Sequence, residues 1–177
     1  GRLNPTKGPE KLAQVAINIS KKRKDIAFVW VGPDEGMEKE VRKLIKPHKN
    51  MRYLGPIRGK EKIAEMYQAA DIYILPSYRE GLPLTLFEAM ASGLPIVASP
   101  VNGVPYEIQE PENGFFSDYG DLESLEENIL KILDDRELAK KISKNNQEKA
   151  KKFLWGDISK EYMKEYRKLI EKTFLTH

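Results

Sequence analysis

Two carboxylates stand in an otherwise apolar stretch of the sequence. Glu80 follows the apolar segment 71–75, and Glu88, eight residues further on, lies inside the apolar segment 83–92. Burying a carboxylate without partners costs free energy, and an ionised carboxylate can only accept hydrogen bonds. These residue types at this spacing therefore indicate a site for hydroxyl groups, and a polyol such as a sugar or a ribose is the ligand that this chemistry favours.

The same two glutamates also have an ordinary structural interpretation, which their spacing leaves open. Glu80 can cap the helix that follows it, and Glu88 can be a solvated charge on the surface of that helix. The backbone between them is a further candidate, because amides at the start of a helix have no intrahelical partner and can bind a phosphate or sugar oxygen. The positions concerned are Gly81, Leu82, Pro83 and Leu84.

Two cations lie in the first loop of the sequence. Arg2 and Lys7 stand beside Gly1 and Gly8, and a helix is predicted to begin directly afterwards. Glycines let backbone amides approach an anion closely, and a helix N-terminus favours negative charge. Arg2 and Lys7 together would neutralise a diphosphate, with about 1.5–3 kcal/mol for each charge-assisted hydrogen bond. The alternative is that both are ordinary surface cations.

The residues that usually hold metals or cofactors are sparse in this sequence. Asp34, Asp71 and Asp118 stand apart, so there is no Asp-X-Asp pair of the kind that holds a divalent cation on a nucleotide sugar. There is no cysteine, and the two histidines, His48 and His177, are far apart. We therefore expect no metal and no cofactor, and the basic residues of the first loop would serve as the counter-charge for a bound diphosphate.

Strands and helices alternate over the first 120 residues, which predicts an α/β fold with a doubly wound parallel sheet covered on both faces. Ligands bind such sheets at the carboxyl ends of the strands, so the loops that leave the strands are candidate site loops. One of them, Gly32 to Gly36, is bounded by glycines but lacks the dinucleotide and P-loop spacings, and a tight turn explains it equally well. The predicted strands are 26–31, 51–54, 71–75, 95–99 and 114–117, the first buried on both faces, and the predicted helices are 9–22, 37–46, 59–69, 83–92, 121–134, 135–151 and 155–174, with a helical turn near 104–109.

Composition limits the remaining classes of function. The 177 residues, 40% of them hydrophobic, suit a single domain with one core. The net charge of +3 is too small to indicate a nucleic-acid partner. No apolar run approaches the roughly 18 residues that a membrane span needs, and no signal peptide is visible, so a cytoplasmic location is expected.

The motifs of this chain resemble those of the donor-binding, C-terminal half of retaining glycosyltransferases of the GT-B fold, the group that includes glycogen and sucrose synthases. The resemblance covers nearly the whole chain, and the Glu-X7-Glu segment in its Pro-Ser and Glu-Ala-Met context is its most specific part. It rests on Gly1-Arg-Leu, Lys7-Gly8, Val31-Gly32, Tyr53-Leu-Gly-Pro-Ile57, Ala70-Asp-Ile-Tyr-Ile-Leu-Pro-Ser77, Glu80-Gly-Leu-Pro-Leu-Thr-Leu-Phe-Glu-Ala-Met-Ala-Ser-Gly-Leu-Pro-Ile-Val-Ala-Ser99, Asn102-Gly-Val-Pro105 and Glu112-Asn-Gly114.

The resemblance implies a Rossmann-like half of a GT-B fold and a role for each candidate residue. Arg2 and Lys7 would bind the donor diphosphate and stabilise the leaving nucleotide. Glu88 would bind both ribose hydroxyls, and Glu80 would contact hydroxyls of the transferred sugar near the reacting carbon. The backbone of residues 81–84 would line the sugar and the distal phosphate. On the base side, the resemblance points to Gly32, Leu54 and Ile57, mostly through backbone groups.

The sequence departs from a complete GT-B enzyme, which has two Rossmann-like domains with the active site between them. We expect this chain to be a fragment that lacks the N-terminal domain and the first strand, to bind nucleotide sugar weakly and to transfer little alone. The helix 155–174 would dock on the core or on the missing domain, and the alternative is a peripheral membrane contact through Tyr162 to Phe174. Two other functions stay open: a GT-B epimerase or phosphorylase, and a nucleotide-sugar binding module without catalysis.

Overall fold

The computed structural model describes residues 1–174, without the side chains of Trp155, Asp157 and residues 172–174. The predicted elements are present, most of them shorter than expected by one or two residues at one or both ends. The strands are β1 (Phe28–Trp30), β2 (Met51–Tyr53), β3 (Tyr73–Leu75), β4 (Ile96–Ala98) and β5 (Gly114–Phe116); the helices are α1 (Pro9–Lys22), α2 (Glu38–Ile45), α3 (Lys60–Gln68), α4 (Leu84–Ala91), α5 (Leu122–Asp134), α6 (Arg136–Lys151) and α7 (Trp155–Phe174), with short 3-10 helices at Pro5–Lys7 and Val104–Tyr106.

All strand pairs among the described residues are parallel, which confirms the predicted α/β class. They form two sheets rather than one: β1 pairs with β2, and β4 lies between β3 and β5. The segment 1–8 connects the carboxyl ends of the two sheets. Leu3 pairs with Asp34 after β1, and Tyr78 after β3 donates its amide to the Thr6 carbonyl at 2.8 Å. The first loop is thus held between the loops that leave β1 and β3.

Helix α1 begins and ends where the sequence predicts. Gly8 has a left-handed backbone with φ of 58°, and Pro9 follows as the first helical residue, where its missing N–H costs nothing. Val15, Ala16 and Ile19 lie on one face and are fully buried. This face anchors the helix in the main core, and the anchored helix fixes the loop that precedes it.

The prediction that the first strand is buried on both faces is wrong. Phe28 and Trp30 are buried, but Val29, whose side chain points to the opposite face of the sheet, is 45% exposed. Side chains alternate between the faces of a strand, and no described residue covers the Val29 side well enough to bury it. A continuous apolar run therefore predicted the strand correctly but not its surroundings.

Helix α4 is held in place by α6 through a buried amide network. Asn146 of α6 is fully buried and donates from Nδ2 to the carbonyls of Leu94, at 2.7 Å, and Asn113, at 2.9 Å. The Asn113 side chain donates back to Asn146 Oδ1 at 2.8 Å. A buried polar group that satisfies its hydrogen bonds in this way specifies one packing arrangement, and here it fixes the segment that follows α4.

Most of the described side chains of α7 are exposed rather than packed on the core, which was one of the two docking places expected for this helix. Four of its large apolar side chains are between 55% and 62% exposed, namely Tyr162, Tyr166, Leu169 and Ile170. The part of the membrane expectation that falls on the Phe174 side chain, like His177, lies outside the described residues. Within the described residues, no helix is both long enough and apolar enough to cross a bilayer.

Candidate functional site

An ion pair between two loops lies at the carboxyl ends of the strands. Lys7, in the loop before α1, places Nζ 2.5 Å from Oε2 of Glu80, in the loop between β3 and α4. The Lys7 side chain is 21% exposed and the Glu80 side chain is 3% exposed. The structure therefore brings together two of the predicted site residues, and it gives the buried carboxylate a counter-charge.

The rest of Glu80 is also fixed by neighbours. Ser77 donates its hydroxyl to Glu80 Oε1 at 2.6 Å, and the Glu80 amide donates to Asn102 Oδ1 at 3.3 Å. Asn102 has a left-handed backbone with φ of 49°, a conformation that Asn adopts more readily than most residues. Helix α4 has no side-chain cap, so the interpretation of Glu80 as a helix cap is wrong.

Two glycines allow the site loops to approach one another. A Cβ on Gly8 would lie 2.2 Å from the Pro76 carbonyl oxygen, and one on Gly103 would lie 2.7 Å from the Gly81 carbonyl oxygen. The Gly103 amide also donates to that Gly81 oxygen at 3.2 Å. Both positions are too crowded for a side chain, so glycine is what lets the loops carrying Lys7, Glu80 and Asn102 meet.

Arg2 is also paired with a carboxylate, but at the surface. Its Nη1 donates to Glu35 Oε1 at 3.1 Å, and Asn4 Nδ2 donates to Glu35 Oε2 at 2.7 Å. The hydrogen bond from Asn4, and then that from Arg2, hold the pKa of Glu35 below its usual value. The Arg2 side chain is 60% exposed and that of Glu35 39%. Exposed ion pairs of this kind add little to stability, so an anionic ligand can replace Glu35 on Arg2.

Glu88 lies on the exposed surface of α4 and is not simply solvated. The hydroxyl of Tyr67, in the last turn of α3, donates to Glu88 Oε2 at 3.0 Å. Nearby, the Tyr73 hydroxyl donates to Thr85 Oγ1 at 2.8 Å. Burial raises the pKa of Tyr73, the Thr85 hydrogen bond opposes this, and the charges of Glu80 and Glu88 add to it. Both carboxylates therefore act on one hydroxyl, and they belong to one region of the molecule.

The segment between the two glutamates is open to solvent. Leu82 is 51% exposed and Leu84 is 69% exposed, Gly81 is exposed and Pro83 is half-buried. Because α4 begins at Leu84 without a side-chain cap, the amides of its first two residues are available to an oxygen ligand. The Leu86 amide already donates to the Pro83 carbonyl at 3.0 Å. The place of these four residues beside a bound sugar or phosphate stays a prediction.

The residues expected on the base side lie at the end of the β1–β2 sheet. Leu54 is 50% exposed, Ile57 is half-buried, and the Gly32 amide donates to the Gly55 carbonyl at 3.0 Å. A Cβ on Gly32 would lie 1.6 Å from the Gly1 carbonyl oxygen, and its φ is 143°. Packing against the first loop therefore explains the glycine at position 32 without any ligand.

Sequence reasoning missed five residues that order this site. Ser77 and Asn102 lay within motifs that carried the resemblance, but their types gave no sign of a bond to Glu80. Glu35 belonged to a loop explained equally well as a tight turn. Asn4 and Tyr67 had no signal, because their partners lie 31 and 21 residues away in the chain. The one available clue was that Arg2 and Lys7 each needed a counter-charge, which carboxylates of neighbouring loops could provide.

The fold and the site together define the class of this protein. Two of the three loops that carry the charged site residues leave the carboxyl ends of parallel strands, and these loops and α4 together bring basic and acidic side chains to one edge. That edge is where open α/β sheets bind their ligands. The chain is a Rossmann-like domain with charged side chains at this edge.

Comparison with known proteins identifies the family. The family described as glycosyl transferases group 1 matches residues 1–149, and the chain belongs to it. The C-terminal domain of the glycosyl transferase group 1 protein LpcC from Francisella tularensis has a similar crystal structure, with a TM-score of 0.78 and 27% identity over 85% of this chain and 81% of that one. The predicted C-terminal domain of a GT-B glycosyltransferase is thereby confirmed.

Two curated relatives illustrate the range of this family. The D-inositol 3-phosphate glycosyltransferase of Corynebacterium efficiens is 31% identical over 164 residues, which are 88% of this chain and 38% of that protein. The UDP-Gal:alpha-D-GlcNAc-diphosphoundecaprenol alpha-1,3-galactosyltransferase of Escherichia coli is 31% identical over 141 residues, 78% of this chain and 36% of that protein. The chain thus spans little more than a third of the length of these relatives.

Proposed function

We propose that this chain binds the nucleotide-diphosphate sugar donor of a retaining, metal-independent glycosyltransferase. The single observation that carries the proposal is the ion pair of Lys7 and Glu80 at the ligand edge, with Nζ and Oε2 2.5 Å apart. A lysine ammonium has three donors. One of them is used by Glu80, so the others can reach a phosphate oxygen while the pair stays intact.

In this proposal Lys7 links the sugar side of the site to the diphosphate side. When the bond between the sugar C1 and the distal phosphate breaks, negative charge accumulates on the departing nucleoside diphosphate. Cations that are already in place stabilise that charge without reorganising. Lys7 would do so at the breaking bond. Arg2 would exchange its exposed contact with Glu35 for a phosphate oxygen.

The carboxylate of Glu80 would act on the sugar. Its position is set by Lys7, Ser77 and the backbone contact to Asn102, so it can accept hydrogen bonds from sugar hydroxyls in one fixed geometry. The reacting carbon of a glycosyl group becomes positively charged in the transition state, and a nearby carboxylate stabilises that charge. The acceptor oxygen would form the new bond to C1 and pass its proton to the departing diphosphate.

Glu88 and the loop backbones would hold the rest of the donor. Glu88 is exposed on α4 and would accept hydrogen bonds from both ribose hydroxyls. The open backbone of Gly81, Leu82, Pro83 and Leu84 would line the sugar and the distal phosphate. The nucleotide base would lie against Gly32, Leu54 and Ile57, at the carboxyl ends of β1 and β2.

In the longer enzyme, a second Rossmann-like domain would supply the acceptor site and complete the catalytic centre. The relatives' greater length supports this proposal, since the chain covers 38% of the Corynebacterium enzyme. The exposed apolar residues of α7, such as Tyr162 and Tyr166, would then have a place to pack. Alone, the chain would bind the donor weakly and transfer sugar slowly or not at all.

Calorimetric titration tests the proposal directly. The chain is titrated with UDP, GDP and ADP, each with and without EDTA, and then with magnesium added. We expect at least one nucleoside diphosphate to bind, with the same affinity in EDTA. Absence of binding at millimolar concentrations of all three nucleotides would overturn the donor site. A requirement for magnesium would overturn the metal-independent part alone.

Stereochemistry tests the retaining part in the longer enzyme. NMR of the product made from a donor of known configuration reports the anomer directly. We expect the transferred sugar to keep the donor configuration. Inversion would contradict the mechanism, while binding of the donor would still stand.

A further inference from the structure

We infer that Tyr67 is a positioning residue that fixes the Glu88 carboxylate for recognition of the ribose hydroxyls. This rests on the proposed role of Glu88 in the donor site. It adds a residue from α3, an element that carries none of the candidate site residues. Tyr67 itself would not touch the nucleotide.

The geometry places the two side chains across a helix pair. Helices α3 and α4 pack side by side, and the Tyr67 hydroxyl donates to Glu88 Oε2 at 3.0 Å. Tyr67 is half-buried, while Glu88 is exposed. Tyr67 is the hydrogen-bond partner that the described residues give to the Glu88 carboxylate. An exposed glutamate on a helix otherwise samples several rotamers, and fixing such a side chain costs conformational entropy.

Tyr67 is itself held by its surroundings. Its ring meets that of Tyr73 edge to face, with centroids 5.9 Å apart and planes at 62°. Tyr73 in turn donates its hydroxyl to Thr85 Oγ1 at 2.8 Å. Thr85 and Glu88 are three residues apart on α4 and lie on the same side of the helix. Two packed tyrosines thus contact neighbouring positions of one helix face, one through Thr85 and the other through Glu88.

The Tyr67 hydroxyl remains a donor under all ordinary conditions. Burial raises its pKa well above the usual value, and the neighbouring Tyr73 and the charge and hydrogen bond of Glu88 add to the shift. A protonated phenol can therefore hold one carboxylate oxygen while the other is presented to a ligand. A ribose diol offers two hydroxyl donors, and an ionised carboxylate can only accept. The arrangement suits a diol and gives no advantage to a ligand that lacks it.

The test compares Tyr67→Phe with the unchanged chain on two ligands. UDP carries both ribose hydroxyls, and 2′,3′-dideoxy-UDP carries neither. Calorimetry gives both affinities. The affinity for UDP divided by the affinity for dideoxy-UDP measures recognition of the diol. We expect Tyr67→Phe to lower the ratio about threefold to tenfold, since part of the cost of ordering Glu88 would then be met on binding. The affinity for dideoxy-UDP should stay the same, which a general loss of structure would not allow.

Two further variants make the outcome decisive. Tyr73→Phe removes the neighbouring hydroxyl, which contacts Thr85 instead of Glu88, and should leave the ratio unchanged. Glu88→Gln should reduce the ratio at least as much as Tyr67→Phe does. If the affinity ratio of Tyr67→Phe equals that of the unchanged chain while that of Glu88→Gln is reduced, the role of Tyr67 is overturned and the donor site stays intact. An equal loss of affinity for UDP and for dideoxy-UDP in Tyr67→Phe would also overturn the role of Tyr67. A ratio of one in the unchanged chain would overturn the ribose role of Glu88 and, with it, the present inference.

Discussion

Lys7 and Glu80 are 73 residues apart in the sequence, and their side chains form an ion pair of 2.5 Å. The pair joins the loop before α1 to the loop after β3. It therefore unites the two parts of the proposed donor site, the cations of the first loop and the carboxylates of the β3–α4 unit. It also means that the folded chain already neutralises the cation that would meet the diphosphate.

Removing Lys7 should destabilise the fold. Lys7→Met leaves Glu80, whose side chain is 3% exposed, without its counter-charge. Breaking one partner of a buried pair costs about 3–5 kcal/mol. Because Lys7 is partly exposed, we expect a loss of about 2–4 kcal/mol in the free energy of unfolding, measured by urea denaturation. The double variant with Glu80→Gln should recover part of that loss. If the two single losses simply add, the pair is not coupled in solution.

Removing Arg2 should weaken ligand binding and leave the fold intact. The Arg2–Glu35 contact is exposed, so Arg2→Ala should hardly change the urea midpoint. A charge-assisted hydrogen bond to phosphate is worth about 1.5–3 kcal/mol, and UDP affinity should therefore fall about tenfold or more. Lys140→Ala, which removes a more exposed ion pair with Glu137 on α6, is the control and should keep full affinity. Equal affinities of Arg2→Ala and Lys140→Ala would place the diphosphate away from Arg2.

The crowding at Gly8 should be measurable as a stability difference. Gly8→Ala meets the Pro76 carbonyl oxygen at 2.2 Å, whereas Gly120→Ala, also at a positive φ, meets nothing within 4 Å. Both variants carry the backbone cost of about 1–2 kcal/mol. Only Gly8→Ala must also displace the neighbouring loop. Inserting extra atoms into a packed site typically costs about 1–3 kcal/mol more. Thermal unfolding of the two variants gives the difference, and equal melting temperatures would contradict the close approach.

The buried tyrosines should make stability fall at alkaline pH. Burial raises the pKa of Tyr67 and of Tyr73 in the folded chain, while in the unfolded chain a tyrosine ionises near pH 10. The stabilisation is therefore complete below about pH 10 and is lost as the pH rises above it. Urea unfolding between pH 8 and 11 should show this decline, and Tyr67→Phe should make it shallower. Tyr106→Phe, at an 85% exposed position, is the control. The same decline of stability with pH in the unchanged chain and in both variants would contradict a contribution from Tyr67.

Local chemistry explains why most of the fold was predictable from the sequence. Pro9 after Gly8 and the apolar face of Val15, Ala16 and Ile19 define α1 without any distant partner. The limits appear where a neighbouring element decides the outcome. Val29 belongs to an apolar run that is typical of a doubly buried strand, yet its exposure depends on what covers that face of the sheet. The bounds of α7 were predicted correctly, but its packing partner is not encoded in the helix itself.

The sequence selected the residues of the candidate site but not the contacts between them. Spacing and resemblance selected Glu80, Glu88, Arg2 and Lys7, and the structure places them at one edge of the fold. Spacing could not show that the Lys7 ammonium contacts Glu80, because contacts between distant loops depend on the whole topology. The same holds for the contact between Tyr67 and Glu88, which requires α3 and α4 to pack side by side.

A crystal structure of the chain with UDP tests the central claim most directly. The account predicts a diphosphate oxygen within hydrogen-bonding distance, about 3 Å, of Lys7 Nζ while Glu80 stays in contact with the same ammonium. It also predicts the ribose hydroxyls on Glu88. A nucleotide bound at the same edge with its diphosphate away from Lys7, or bound elsewhere on the molecule, would contradict it.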